Sequence, residues 1–434
     1  MSEIFSDRGT LQGMLDFEAA LALAEARLSL IPHKHAEAIA AKCRAEFFDV
    51  SAISQAAALA GNVAIPLVKA LTAVVAQDDE NAARVVHWGA TSQDVIDTGL
   101  VLQLRQALDF FEVGLLLLSK ACAEHAYKHR HVIMAGRTWL QHATPITFGL
   151  KAAGWLSAIE RQRQRIAECR QRLLVIQFGG ASGTLASLGV RGLEVANELA
   201  NELKLGLPDM PWHSQRDNFV EVASVLGALT GTLGKIARDI SLMTQTEIGE
   251  AFEPAAAGRG GSSTMPHKRN PVSCAVVLAA AARMPGLVAT MYNSMTQEHE
   301  RGLGGWQAEW QTLPQISQLA AGALEHTLHM VEGLEIDPAR MRVNLEMTKG
   351  LVLAEAASMA LAVYIGRDKA HQLIEYASQR AITEKRHLRD VLASDAQITA
   401  HLDAASLKKI FDAQNYLGVA EQFIDRVLAA RKLN

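Results

Sequence analysis

A chain of 434 residues that is 49% hydrophobic but only 5% aromatic has ample apolar surface for a core, and at ~100–200 residues per domain it should form two or three domains. Lys and Arg number 42 against 46 Asp and Glu, a formal charge of −4, so no global positive field exists to attract nucleic acid or an acidic membrane. The expected partners are small molecules or copies of the same chain.

The opening residues, MSEIFSDRGT, lack the basic and apolar regions of a secretory signal, and the longest uninterrupted apolar runs stop well short of ~18 residues. A cytoplasmic protein is expected. Cys43, Cys122, Cys169 and Cys274 are widely spaced with no C-x-x-C, which points to reduced core thiols rather than a disulfide framework or a metal site.

Ala and Leu dominate, and no proline falls between Pro66 and Pro145 or between Pro211 and Pro254, as long helices require. Leu104, Leu108, Phe111, Leu115, Leu118 and Cys122 recur at helical spacing, as do Val222, Val225, Leu229, Leu233, Ile236, Ile240 and Met243. Stripes of that length need partners of equal length, so the spacing predicts an all-α fold built on a bundle of long antiparallel helices. Along the chain we expect an N-terminal helical domain over 1–100, a central long-helix bundle over 101–340 and a C-terminal helical domain over 341–434.

Three loops interrupt this pattern. HWGATSQD (87–94) opens a helix, with hydroxyls from Thr91 and Ser92 at its start and Asp94 in its first turn. That is ordinary capping, but the same N–H groups and hydroxyls also bind a carboxylate, with His87 as a neighbouring donor. FGGASGTLASLG (178–189) is the second loop, and AFEPAAAGRGGSSTMPHKRNP (251–271) the third. Between them, GRTWLQHATPITFG carries His142, and WHSQRDNF gathers His213, Gln215, Arg216 and Asp217; a structural histidine and a solvated Arg–Asp pair are the plain alternatives.

In the third loop, Gly258, Gly260 and Gly261 loosen the backbone while Pro266 and Pro271 bound a stiffer piece, so it reads as an arm carrying Ser262, Ser263, Lys268 and Asn270. It is not a P-loop, which needs Gly-Lys-Ser/Thr at a helix start, and no G-x-S-x-G follows a strand.

GSSTMPHKRNP closely resembles the signature of the fumarase/aspartase superfamily, and HWGATSQD and GRTWLQHATP resemble its other two active-site regions. The resemblance covers nearly the whole chain. It implies an all-α homotetramer whose active sites are each shared between three subunits, with neither metal nor organic cofactor. It further implies that Ser262 moves a proton beside a carboxylate, that Lys268 and Asn270 bind carboxylates, that Thr91 and Ser92 form a helix-terminus anion site with His87 beside it, and that His142 matches a general acid. The intermediate in such chemistry is an aci-carboxylate, which a fixed array of donors stabilises.

Departures from the superfamily pattern narrow the choice. Ala275 stands where most relatives carry a glutamate paired with the active-site histidine, and Thr138-Trp139 stands where lyases have Thr-His. HERGLGGWQAEW (299–310) keeps Arg301 but places glycines and tryptophans where nucleotide-binding members grip a phosphate. With the opening FSDRGTLQGMLDFEAALA and the FGGASGTLASLG loop, it is similar to the cycloisomerase branch, whose members close a tricarboxylate diene to a lactone. An adenylosuccinate lyase or another fumarate-releasing lyase is the alternative, and a non-catalytic helical scaffold the rival from outside enzymology. For the cycloisomerase, Ser262 or His142 would handle the proton, while His87, Thr91, Ser92, Gln215, Ser263, Lys268, Asn270 and Arg301 would hold substrate carboxylates.

Overall fold

The computed structural model describes residues 1–255, 260–261, 264–265 and 267–433, and their architecture is almost entirely helical. The longest helices are Ser92–Lys128, Phe148–Leu173, Asp217–Met243, Val272–Asn293 and Gly305–Glu332. The first runs for 37 residues, ~55 Å at 1.5 Å per residue.

Both predicted stripes are buried. Leu104, Leu108, Phe111, Leu115, Leu118 and Cys122 line one side of the Ser92–Lys128 helix, and Val222, Leu229, Leu233, Ile236, Ile240 and Met243 line Asp217–Met243. Val225 is only half-buried, and Leu226, one position on, takes its place in the core. All four cysteines are free and buried. Burial and the nearby Glu160 push the Cys122 thiol up to about 12, so it stays protonated.

The chain forms two compact units of interleaved segments: residues 1–115, 162–233 and 279–325 in the first, and 116–161, 234–278 and 326–434 in the second. In the first unit, the long helices approach closely enough that a Cβ on Gly114 would lie 2.7 Å from Leu324 and one on Gly227 2.9 Å from Val288. The Asp7–Arg27 helix docks here as well. Its Gly13 crosses Gly99 with backbones in contact, an approach that only two glycines permit. In the second unit, Trp155 Nε1 donates to Asp239 at 2.7 Å, and His125 Nε2 lies 2.7 Å from the Val331 carbonyl. A C-terminal cluster there packs Leu361, Ile374, Leu388, Val391 and Leu392.

One departure from the helical expectation matters for the site. GRTWLQHATP lies in an antiparallel hairpin, Ile133–Thr138 against Gln141–Thr147, with Arg137 facing His142 in register. Trp139 and Leu140 form its two-residue tip with φ of 53° and 64°, the geometry of a type I′ turn, in which Asn-Gly is the usual pair.

By length and mean hydropathy alone, Asp217–Met243 and Val272–Asn293 are each long and apolar enough to cross a bilayer. The uninterrupted apolar runs are shorter, and the spans reach this length only with a few polar residues included. Asp217–Met243 owes its hydropathy to the core stripe just described.

Candidate active site

The first unit brings together four of the segments singled out in the sequence. Asp94, at the third position of the Ser92–Lys128 helix, is fully buried and saturated. Its Oδ2 accepts from the Thr91 and Gly180 N–H groups at 3.0 Å each, and its Oδ1 accepts from the Gly179 N–H at 3.0 Å and lies 2.7 Å from His213 Nε2. The acid that caps the helix therefore also pins the 178–183 loop and His213 beside it. There is no slack: a Cβ on Gly179 would come within 2.9 Å of the His213 ring.

Gln93, just before Asp94, and Asp97, one turn on, extend the network. Gln93 Nε2 donates to Asp97 at 3.1 Å and to the His213 carbonyl at 2.8 Å, and its Oε1 accepts from Arg301 Nε at 3.0 Å. Arg301 also donates to the Ala181 carbonyl at 3.1 Å. Arg216 is buried between Asp97 and Glu309, donating to Asp97 at 2.7 Å and to Glu309 at 3.0 Å. Trp306 Nε1 completes the Asp97 shell at 3.0 Å. The solvated Arg216–Asp217 pair considered from sequence is thus replaced by a buried Asp–Arg–Glu triad, because the partners of Arg216 lie 119 and 93 residues away in the chain.

His87 and the hydroxyl residues Thr91 and Ser92 stand half-buried at the edge of this constellation, and Gln215 is exposed. His87 adopts φ of 61°, and its Nδ1 lies 2.6 Å from Glu18 Oε1. Burial opposes the imidazolium, but the Glu18 carboxylate and, more weakly, Asp94 outweigh it, so the His87 pKa is raised.

The second unit holds the remaining sequence candidates. His142 is half-buried on the hairpin, and its Nδ1 is buried without a partner among the described residues. Its pKa is lowered, by burial first and by Arg137 second, with Glu250 opposing. Glu250 is itself fully buried and committed: Arg137 grips it at 2.9 and 2.7 Å, and Asn344 donates to it at 2.9 Å. The carboxylate nearest His142 in electrostatic terms therefore serves the arginine across the strand. Ala275, where a glutamate was expected from the superfamily, is exposed in the first turn of Val272–Asn293. The N–H groups of that turn at Ser273 and Cys274 are taken by Glu253, at 3.1 and 2.8 Å.

Lys268 is exposed and Asn270 half-buried, and both line a cavity of 260 Å³ with Thr244, Phe252 and Arg269. The Asn270 N–H closes the arm by donating to the Gly260 carbonyl at 2.8 Å, and Arg269 pairs with Glu335 over the Phe252 ring. Ser262 and Ser263 lie outside the described residues.

Sequence reasoning did not find Glu18, Asp97, Glu309, Trp306, Arg137 or Glu250. The signal available for Glu18 was an acid inside the otherwise apolar LDFEAALALAEA run. Nothing local marks the other pairings.

The lyase family profile matches residues 1–286, and the profile described as adenylosuccinate lyase C-terminus matches 350–427. The chain belongs to this lyase family, within the fumarase/aspartase superfamily. It is similar to the 3-carboxy-cis,cis-muconate cycloisomerases of Pseudomonas aeruginosa, 58% identical over 99% of this chain and 94% of that one, and of Bradyrhizobium diazoefficiens, 54% identical over 97% and 94%. Among solved structures, the 3-carboxy-cis,cis-muconate lactonizing enzyme of Pseudomonas putida superposes with a TM-score of 0.95 at 56% identity, covering 100% of this chain and 96% of that one. This lyase superposition covers the two apolar helices, so their hydropathy belongs to the lyase fold.

Proposed function

We propose that this protein is a cycloisomerase that closes 3-carboxy-cis,cis-muconate to 4-carboxymuconolactone. The observation that carries the reading is full-length similarity to cycloisomerases together with the Arg301–Gln93–Asp97 constellation, which presents a guanidinium where a phosphate-binding lyase would need a larger cationic cradle. The name of the C-terminal profile does not outweigh this, because it spans only residues 350–427.

In the reaction, one substrate carboxylate oxygen forms a C–O bond to an alkene carbon. The alkene electrons shift to the neighbouring carbon, where an adjacent carboxylate takes them up as an aci-carboxylate, and a proton then adds at that carbon. Substrate and product are isomers, so no electron carrier is required, and tethering of the nucleophile supplies much of the advantage. We assign Arg301, His87, Thr91, Ser92 and Gln215 to one set of carboxylate contacts, and Lys268, Asn270 and Ser263 to another. Ser262 is our choice for the proton donor, since the lowered pKa of His142 leaves its ring neutral at pH 7.

We further propose a cytoplasmic homotetramer with shared active sites. Only 28% of the most apolar window of Val272–Asn293 is buried within one chain, and Val113, Leu116 and Leu117 are exposed on Ser92–Lys128. Apolar faces of this size on long helices are suited to other copies of the chain. The three-part division of the chain at residues 100 and 340 remains our proposal for how the assembled subunit is organised.

Ultraviolet absorbance tests the activity directly, because ring closure destroys the conjugated diene. Purified protein should bleach 3-carboxy-cis,cis-muconate without added metal or nucleotide. No bleaching by folded protein, alongside fumarate release from adenylosuccinate, would replace this reading with the lyase alternative.

A further inference from the structure

The inner face of the Asp7–Arg27 helix carries two acids that the reaction does not use. Glu18 and Glu25 are seven residues apart, two turns on one face, and are 1% and 0% exposed. Among the described residues, Glu18 Oε2 and both oxygens of Glu25 are buried without partners, and an unpaired buried charge is strongly unfavourable. Protons resolve this. Burial, reinforced by Glu18, pushes Glu25 up to about 9, so it is a neutral acid at pH 7 and leaves Glu18 to carry the charge.

That charge faces His87. Glu18 Oε1 and His87 Nδ1 are 2.6 Å apart, and the His87 Nε2 has no partner among the described residues. The backbone of His87 is held at φ of 61°, a left-handed conformation that a histidine adopts at a cost when its surroundings enforce it. The other ionisable group facing the ring is Asp94, whose oxygens are already engaged by His213 and three backbone N–H groups. Cys43 lies near both Glu18 and Asp16, and its thiol is pushed up by burial and by these acids, so it adds no charge.

We infer that Glu18 is a positioning residue that fixes the His87 ring through Nδ1 and holds it as an imidazolium, leaving Nε2–H as a charged donor for one substrate carboxylate. The fold thus supplies a carboxylate to a histidine from the N-terminal helix, independently of position 275, where the superfamily glutamate is missing. The substrate half of this inference rests on the cycloisomerase reading. The charge on the ring does not.

The experiment follows hydrogen–deuterium exchange at each imidazole C2 by mass spectrometry, on the full-length enzyme without substrate from pH 5 to 9. The wild-type His87 midpoint is expected above ~6.5, the free imidazole value. Glu18→Gln should lower it, and Glu18→Asp should restore part of the shift. A wild-type midpoint at or below ~6.5, or one that Glu18→Gln leaves unmoved, overturns the inference. Should Glu18→Gln not fold, the wild-type midpoint decides alone.

Kinetics then test the contact with substrate. Glu18→Gln should raise KM for 3-carboxy-cis,cis-muconate roughly tenfold at pH 8, with a smaller rise at pH 6, while kcat changes little. An unmoved KM with a lowered midpoint would refute the substrate contact while upholding the charge. An enzyme that fails to turn over this substrate at all would sink the proposed reaction and leave the exchange result intact.

Discussion

Arg301 and Gln93 form a hydrogen bond in which the guanidinium Nε donates to the amide Oε1 at 3.0 Å. The amide cannot turn away, because its nitrogen is spent on Asp97 and the His213 carbonyl. The bond therefore fixes the direction in which the remaining N–H groups of Arg301 point. Gln93→Leu should raise KM for the tricarboxylate about tenfold, as expected for loss of a charged hydrogen-bonding group held in place. Steady-state kinetics on Gln93→Leu, Arg301→Ala and the double variant check the coupling: the double variant should lose less than the sum of the two losses. Full additivity would mean that Gln93 does not act through Arg301.

Arg216 lies 2.7 Å from Asp97 and 3.0 Å from Glu309, and all three are buried. Removing the cation leaves two carboxylates facing each other without solvent, so Arg216→Leu should destabilise the fold by about 3–5 kcal/mol, measured by urea unfolding. Replacing only Asp97 by Asn keeps the hydrogen-bonding shape and leaves one ion pair, so it should cost less. A larger loss from Asp97→Asn would contradict the assignment of Arg216 as the hub.

Glu25 makes stability depend on pH. Its folded pKa of about 9 exceeds the ordinary value of 4.5, so the folded state binds the proton more tightly than the unfolded chain does. Stability linked to it is complete below pH ~4.5 and falls as pH rises toward 9, by at most ~1.4 kcal/mol per pH unit. Glu25→Gln cannot ionise and escapes this loss. Thermal unfolding should show the variant near wild type at pH 5 and increasingly more stable than wild type at pH 7 and 8. A difference independent of pH would show that Glu25 is not the titrating group.

The architecture was legible because both stripes repeat at helical spacing for more than five turns, longer than chance or a strand would sustain. The candidate loops were legible because glycine, proline and hydroxyl clusters interrupt those stripes. What joins them was not. Asp94 read as a capping acid, and it is one, but its grip on Gly179, Gly180 and His213 depends on pairings across 85 to 119 residues that no local pattern encodes. The hairpin was hidden for a different reason. Its tip is Trp139-Leu140 in place of a glycine-containing turn, and its second strand contains Pro145, so the period-two signal is short and broken.

The charge on His142 is set across that hairpin. Burial lowers its pKa first, and Arg137, which faces it in register, lowers it further while holding Glu250, the carboxylate that would raise it. Arg137→Gln removes the cation and leaves Glu250 buried with only Asn344 as a side-chain partner, so both changes push the ring toward its charged form. The His142 midpoint, read by C2 exchange, should lie below ~6.5 in the wild type and rise in the variant, with burial still holding it down. Activity then separates the proton donors. If Ser262 delivers the proton and His142 works neutral, wild-type turnover should hold level from pH 6.5 to 8, Ser262→Ala should lower kcat at least a hundredfold, within the ~10²–10⁴ range of general acid–base catalysis, and Arg137→Gln should reduce turnover despite its more highly protonated ring. Turnover in the wild type that tracks the protonated fraction of His142, and increases in Arg137→Gln at pH 8, would give the proton to the histidine instead.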